Sequence, residues 1–248
     1  MPQTIEFRIR RQDSPQVPGR WEEFSIPYRP NMNVISSLME IRRNPVTRDG
    51  KRTSPPAWEA NCLEEVCGAC SMLVNRRVRQ ACSALVDHLE RPIVLEPMSK
   101  FPLIRDLVVD RSRMFEALKR ARAWVPIDGT HALGPGPRVD PHQQEIAYVF
   151  ARCMTCGCCL EACPQVNARS DFLGAFVFGQ VRLFNLHPTG AMHADERLEA
   201  VMGPGGIADC GNAQNCAAVC PKEIPLTEAI AEVGRQTTRY LLRKLFWR

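Results

Sequence analysis

No stretch of this 248-residue chain stays apolar for long. The longest run, Phe172 to Phe178, is seven residues, far short of the roughly 18 needed for a membrane-spanning helix. A transmembrane helix is therefore excluded. Met1 to Arg10 lacks the apolar core of a secretory signal, and Glu6 argues against an organelle transit peptide. The expectation is a protein that stays where it is made, in a prokaryotic cytoplasm. A strong charge excess is also missing. Lys+Arg 32 minus Asp+Glu 27 leaves +5, without the basic stripe of a nucleic-acid binder. There is no Gly-rich dinucleotide fingerprint and no paired acid/base motif. The 5 histidines are isolated, and His187 and His193 only flank a Pro-Thr-Gly turn. No residues of this chain are expected to carry out substrate chemistry.

What is present is a globular composition, 45% hydrophobic and 24% charged, with 12 cysteines. A chain of this length builds a core without crosslinks, and nothing marks it for an oxidising compartment. The cysteines also bunch, in three groups at 62–82, 153–163 and 210–220. Disulfides that close long loops are scattered. Thiolates that share one metal centre come from one short stretch of backbone.

The first part of the chain reads as α+β. Ile5 to Ile9 and Glu23 to Ile26 alternate like strands around a loop at Asp13 to Gly19. Val34 to Ile41 has helical spacing behind Asn33 as N-cap. Ser71 to Val74 and Val78 to Cys82 flank Asn75-Arg76-Arg77 as a hairpin, and Ile93 to Leu95 adds a strand. From Leu103 the pattern turns helical. Leu107, Phe115 and Leu118 fall on a helix reaching Val125, followed by a Pro/Gly-rich loop over Pro126 to Pro141. Helices are expected over Gln143 to Ala151, Ala168 to Leu186, Ala194 to Met202 and Leu226 to Phe246. The expected domains are 1–105, α+β, and 106–248, all-α.

Cys62-x4-Cys67-x2-Cys70, with a distant Cys82, is plant-type [2Fe–2S] spacing. Gly68 supplies the backbone freedom that a loop wrapped round a cluster demands. A structural zinc site is the alternative, but zinc sites usually pair two Cys-x2–4-Cys knuckles and Cys82 stands alone.

Cys153, Cys156, Cys159, Cys163 and Pro164 form the bacterial ferredoxin run C-x2-C-x2-C-x3-C-P. Cys210, Cys216, Cys220 and Pro221 repeat it at a constant offset, since 210 − 153, 216 − 159 and 220 − 163 are each 57. In such a core the fourth Cys of each run ligates the other cluster. Cys153, Cys156, Cys159 and Cys220 then suit a [4Fe–4S] cluster, and Cys163, Cys210 and Cys216 hold the second. Its fourth ligand should fall at 156 + 57 = 213, which is Ala213. A methyl group cannot bind iron, so the inference is [3Fe–4S]. A [4Fe–4S] cluster with hydroxide at the open corner is the alternative. Cys158 matches Asn215 and is expected to be a buried free thiol.

This order, plant-type spacing and then a double ferredoxin lacking one ligand, resembles the iron–sulfur subunit of the succinate dehydrogenase and fumarate reductase family. The matching stretches are Cys62 to Cys82, Pro97 to Asp110, Cys153 to Pro164 and Cys210 to Pro225. The resemblance implies an N-terminal β-grasp domain and a helical C-terminal domain. It implies a flavoprotein partner with FAD and the dicarboxylate site, and a membrane anchor with quinone and often haem b. Electrons would run from FAD through [2Fe–2S], [4Fe–4S] and [3Fe–4S] to quinone, at the cytoplasmic face of a prokaryotic membrane. Ubiquinone-linked members usually carry aromatics, including Trp, after the Cys-Pro that corresponds to Cys163-Pro164. Here Gln165-Val166-Asn167-Ala168-Arg169 follows, and Trp21, Trp58, Trp124 and Trp247 lie elsewhere. That points to menaquinone. The other readings are a quinol:fumarate reductase subunit and a soluble ferredoxin-like carrier.

After Glu232 no acid remains, but Arg235, Arg239, Arg243, Lys244 and Arg248 do, beside Tyr240, Leu241, Leu242, Leu245, Phe246 and Trp247. Such an end can meet an anionic bilayer or an anchor. It can equally pack on its own domain.

Overall fold

The computed structural model describes residues 4–126 and 137–246. They divide into two units, Met1–Arg111 with Met154–Glu161, and Ser112–Cys153 with Ala162–Arg248.

The first unit is built on a five-stranded sheet. Its strands are β1 (Thr4–Arg11), β2 (Arg20–Pro27), β3 (Ser71–Val74), β4 (Arg77–Gln80) and β5 (Ile93–Glu96), in the order β2-β1-β5-β3-β4. All neighbours are antiparallel except β1 and β5, which run parallel with Phe7 opposite Ile93 and Ile9 opposite Leu95. The alternation in β1 buries Ile5, Phe7, Ile9 and Arg11, and the residues between them face outward. Helix α1 (Val34–Arg43) adds Val34, Ile35, Leu38 and Ile41 to the same core. Its start is fixed by a capping box: the Asn33 carboxamide oxygen accepts from Ser36 N–H at 2.8 Å, and Ser36 Oγ accepts from Asn33 N–H at 2.9 Å. The hairpin at Asn75-Arg76 turns on two left-handed residues, φ 49° and 64°, as a two-residue turn of that hand requires. Strand β4 stops at Gln80, two residues earlier than the alternation suggests.

Leu103–Arg105 and Val108–Val109 are not the start of a helix. They pair as β6 and β7 of a small antiparallel ribbon. Asp106, at φ 49°, turns the chain between them, and its side chain is fully buried. Its Oδ1 accepts from Arg11 Nε at 3.1 Å and Gln12 N–H at 2.9 Å, and its Oδ2 accepts from Ala57 N–H at 2.9 Å. Arg11 also pairs with Glu22 and donates to Ser54 Oγ at 3.1 Å. Leu107 is buried in the sheet's core and belongs to no helix. The last piece of this unit is α4 (Cys158–Glu161). Glu161 holds the loop before β6 by accepting from Ser99 N–H and Lys100 N–H, each at 3.0 Å.

The second unit is helical, with α2 (Ser112–Arg120), α3 (Pro141–Ala151), α5 (Ala175–Leu186), α6 (Ala194–Met202), α7 (Asn215–Ala218) and α8 (Leu226–Phe246). Helix α2 ends at Arg120, short of Val125, and Phe115 is an exposed residue on it. Part of the expected loop over Pro126 to Pro141 lies outside the described residues. Its end is clear: Asp140 caps α3, accepting from His142 N–H at 3.0 Å, and Pro141 takes the first helical position. Helix α5 begins at Ala175 and not at Ala168. Gly174 at φ 97° holds a conformation no helix accepts, and Asn167 and Ser170 spend their side chains on local turns. Arg197 on α6 is 1% exposed, and no acid among the described residues pairs with its guanidinium. It donates to Asn185 Oδ1 at 2.8 Å, Trp124 O at 3.2 Å and Phe184 O at 3.3 Å. Burial lowers its pKa, and the carbonyl ring is what keeps the charge tolerable.

The end of α8 shows why a basic tail is not by itself a free basic patch. Arg235 pairs with Glu232, Arg243 with Asp195 at 2.6 Å, and Lys244 with Glu199 at 2.6 Å. Three of the tail's five cations are thus neutralised within their own unit. Leu241, Leu242, Leu245 and Phe246 remain exposed, while Trp247 and Arg248 lie outside the described residues. No described helix is long and apolar enough to cross a membrane.

Candidate iron–sulfur sites

None of the 12 cysteines is in a disulfide. Cys62 and Cys67 sit in the loop before β3, Cys70 directly before β3 and Cys82 after β4. The loop is shaped by left-handed residues, Leu63 at φ 62°, Glu65 at 56° and Gly68 at 73°. Alternating handedness turns successive N–H groups inward, a concavity suited to anions. Glu64 N–H, Val66 N–H and Cys67 N–H point at Cys62 Sγ at 3.4, 3.3 and 3.3 Å. Cys62 N–H and Ala69 N–H point at Cys67 Sγ, each at 3.5 Å. Arg111 grips the other side of the loop, donating to Gly68 O at 2.8 Å and Ala69 O at 2.6 Å.

These contacts split the thiols by acidity. The N–H groups of Glu64 and Val66 bring Cys62 down to about 7. Burial pushes Cys70 up to about 12, with Cys82 close by. A free thiol that acidic is half thiolate at neutral pH, so with iron stripped out by a chelator Cys62 is expected to alkylate first, with a midpoint near pH 7. Cys70 should resist until far more alkaline pH. Peptide mapping of iodoacetamide adducts against pH checks this, and equal labelling of both at pH 7 would contradict it.

The 57-residue repeat survives in the backbone. Thr155 at φ 51° and Gly157 at 88° match Asn212 at 52° and Gln214 at 62°. Each pair leads into a four-residue helix, Cys158–Glu161 and Asn215–Ala218. In both, the residue at the second left-handed position accepts two N–H groups: Gly157 O takes Leu160 and Glu161, and Gln214 O takes Ala217 and Ala218. The two runs thus have the same local loop, although only Gly157 is the residue usual at positive φ.

Within the helical unit, Cys163, Cys210 and Cys216 line one small pocket, together with Ala213. The thiols are close enough that Cys163 and Cys210 raise the pKa of Cys216, after burial as the larger cause. The structure brings together the three residues expected to share a cluster, and it puts the ligand-free Ala213 at their side. Cys153, Cys156, Cys159 and Cys220 are all described. The neighbouring Cys158, and burial after it, drive the Cys156 thiol strongly upward. Cys158 is 0% exposed, the environment expected for it. Among the described residues, no three His, Cys, Asp or Glu converge tightly enough for a single metal ion. The two isolated histidines serve local structure: His187 Nδ1 accepts from Gly190 N–H at 3.2 Å, and His193 meets Glu196 at 3.1 Å. Sequence reading missed Arg111, Gln80 and Ser71, which touch the ligand loops. Nothing in their spacing marks them, because their roles depend on contacts with residues far along the chain.

Residues 6–116 match the family described as 2Fe-2S iron-sulfur cluster binding domain, and residues 149–224 match the 4Fe-4S dicluster domain. The chain is 60% identical over 243 residues to the succinate dehydrogenase iron-sulfur subunit of Bacillus subtilis, covering 98% of this chain and 96% of that one. It belongs to the succinate dehydrogenase iron–sulfur subunit family. Fumarate reductase iron-sulfur subunits are more distant relatives: that of Wolinella succinogenes is 29% identical over 87% of this chain and 89% of its own length, and that of Mycobacterium tuberculosis 30% over 92% and 90%. A chain from the Mycobacterium smegmatis Sdh1 complex superimposes with a TM-score of 0.77 over 96% of this chain and 97% of its own, at 21% identity. That likeness supports the fold alone: an N-terminal [2Fe–2S] ferredoxin domain carrying the sheet and a mostly helical C-terminal domain. As a family member the chain is an electron-transfer subunit of an oxidoreductase, carrying [2Fe–2S] and [4Fe–4S] domains.

Proposed function

We propose that this subunit carries electrons from FAD in a flavoprotein partner to menaquinone in a membrane anchor holding haem b, as part of a succinate:quinone oxidoreductase. It would sit at the cytoplasmic face of the prokaryotic membrane through those partners. Cys62, Cys67, Cys70 and Cys82 hold [2Fe–2S]; Cys153, Cys156, Cys159 and Cys220 hold [4Fe–4S]; Cys163, Cys210 and Cys216 hold [3Fe–4S]. In sequence, a division at 1–105 and 106–248 puts the first cluster's ligands in one part and those of the other two in the second, although Met154–Glu161, with Cys156 and Cys159, belongs to the first compact unit. The observation that carries this reading is Ala213 in the pocket of the three cysteines, at the one repeat position where a fourth ligand is missing. The clusters, when bound, supply one-electron centres between a two-electron flavin and a quinone.

The chain's own residues hold and insulate. Glu64, Val66 and Cys67 direct N–H groups at the Cys62 sulfur, which favours its thiolate. Cys70 and Cys82 are embedded in the sheet's apolar core, which keeps water from that side. Gln165 lies over Gly211 so closely that a Cβ there would come within 2.3 Å of its Nε2. Gln165 and Gly211 line the pocket of Cys163 and Cys210, together with Phe172.

The test is purification of the complex from its native membrane, with partner identification, haem content and low-temperature EPR. A flavoprotein, an anchor and distinct [2Fe–2S] and [3Fe–4S] signals are expected, with menaquinone analogues reduced by succinate. A chain that purifies alone from membranes and cytosol would end this reading. The fumarate reductase relatives keep the reverse direction in view, and comparing succinate oxidation with fumarate reduction in the same preparation separates the two.

Ala213→Cys gives a sharper result. The new thiolate should fill the open corner and turn the three-iron centre into a four-iron one. Added negative charge should lower its potential and slow quinone reduction. EPR of the oxidised complex should lose its [3Fe–4S] signal, and persistence of that signal at full strength would count against the repeat alignment.

A further inference from the structure

Gln80, at the end of β4, is 0% exposed, and no cluster ligation requires it. Its carboxamide lies between two ligand loops of the first unit. Oε1 faces Cys70 Sγ at 3.4 Å. Nε2 donates to Ser71 Oγ at 2.7 Å and faces Cys158 Sγ at 3.5 Å. Ser71 Oγ is in turn 2.9 Å from Gly68 O and 2.9 Å from Cys156 O. One amide and one hydroxyl therefore link the loop of Cys67 and Cys70 to the loop of Cys156.

The present orientation suits Cys70 as a thiol, which donates to the amide oxygen. A cluster ligand is a thiolate, which only accepts. With iron bound, Oε1 against Cys70 Sγ would set two acceptors face to face in a buried site, a costly arrangement. A rotated amide has nearly the same shape and resolves this. Nε2–H then donates to Cys70 Sγ. Oε1 turns to Ser71 and Cys158, where it accepts from the hydroxyl and from the S–H. Ser71 has a single hydrogen, so making this bond takes it away from Gly68 O and Cys156 O alike.

We propose that Gln80 is a positioning residue that donates a hydrogen bond to the Cys70 ligand sulfur and raises the [2Fe–2S] potential, with Cys158 and Ser71 holding its amide in that orientation. This rests on the assignment of Cys70 as a [2Fe–2S] ligand. An N–H donated to a ligand sulfur withdraws charge from it and favours the reduced cluster. Cys158 is then more than filler, because its S–H distinguishes one amide orientation from the other.

The test is potentiometric EPR titration of the [2Fe–2S] signal in the intact membrane complex. Gln80→Leu keeps the volume and removes the donor. Its one-electron reduction equilibrium should shift about tenfold toward the oxidised form, about 59 mV more negative. Cys158→Ala should move the same potential in the same direction by less, and Cys158→Ser, which keeps a donor, should restore the wild-type value. An unchanged or more positive [2Fe–2S] potential in a fully assembled Gln80→Leu complex overturns the proposal. If that variant does not assemble, the serine and alanine variants at 158 decide: equal potentials overturn it. A wild-type complex with no [2Fe–2S] signal would instead show that the ligand assignment had failed.

Discussion

Gly68→Ala is expected to cost the protein its [2Fe–2S] cluster. Gly68 holds φ +73°, and a Cβ there would lie 2.8 Å from Cys156 Cβ, 2.9 Å from Cys156 Cα and 2.9 Å from Met154 O. Two of those three atoms are backbone, so no flexible side chain can swing away. The left-handed conformation costs alanine about 1–2 kcal/mol, and the forced contact about 1–3 kcal/mol more. The loop would relax by moving Cys67 and Cys70, whose sulfurs must stay in place to bind iron. The reduced-state [2Fe–2S] EPR signal should fall by at least roughly tenfold at equal protein, one decade per ~1.4 kcal/mol, while iron content falls only by that cluster's share. Gly50→Ala is the control. Gly50 also has positive φ, +84°, but nothing lies within 4 Å of its would-be Cβ, so only the conformational cost applies. If the two variants bind iron equally, the close approach to the Cys156 loop does not matter.

Asp106→Asn is expected to lower the stability of the sheet domain by about 3–5 kcal/mol. Asparagine tolerates the left-handed turn at φ 49° and keeps the shape, so the loss is electrostatic. Both carboxylate oxygens are in use, Oδ1 by Arg11 Nε and Gln12 N–H, Oδ2 by Ala57 N–H. A carboxamide accepts on one side only, which leaves an N–H facing an NH2 group. Arg11, at 0% exposure, keeps Glu22 as its remaining acid. Calorimetry of the holoprotein should show the melting temperature down by roughly 6–20 °C. Arg105→Gln gives the comparison: its pair with Asp106 spans 3.8 Å from a half-exposed side chain, and its loss should move the melt by far less. Equal melts for both variants would mean that the buried network adds little.

The two cluster-binding domains and their candidate ligand cysteines are legible from spacing because cluster chemistry is local. Iron needs thiolates at reach from one loop, and a loop is a short piece of sequence. The repeat of 57 was legible for the same reason, and it reappears as left-handed residues at 155 and 157 and again at 212 and 214. Helices α6 and α8 begin and end where periodicity puts them, since both carry a long regular pattern on one face. The ribbon at Leu103 to Val109 did not announce itself. Its apolar residues fit a helical face as well as a strand, and the decision fell to Asp106, whose partners lie 94 and 49 residues away. Helix α5 was read seven residues too long because apolar content over Phe172 to Phe178 hides the break at Gly174.

The sequence by itself determined the class of chemistry, and it sets out three groups of candidate ligands with Ala213 where the repeat would place a fourth thiolate, because each depends on residue identity at fixed short separations. Tertiary structure alone decided what surrounds them. It set Gln80 and Ser71 between the Cys70 and Cys156 loops, Arg111 on the carbonyls of Gly68 and Ala69, and acids of α6 against the tail's cations. These partners are 9 to 85 residues apart in sequence or more weakly patterned than any motif. Long-range hydrogen bonds and ion pairs leave no periodic trace in a sequence, because only the fold brings their two ends together.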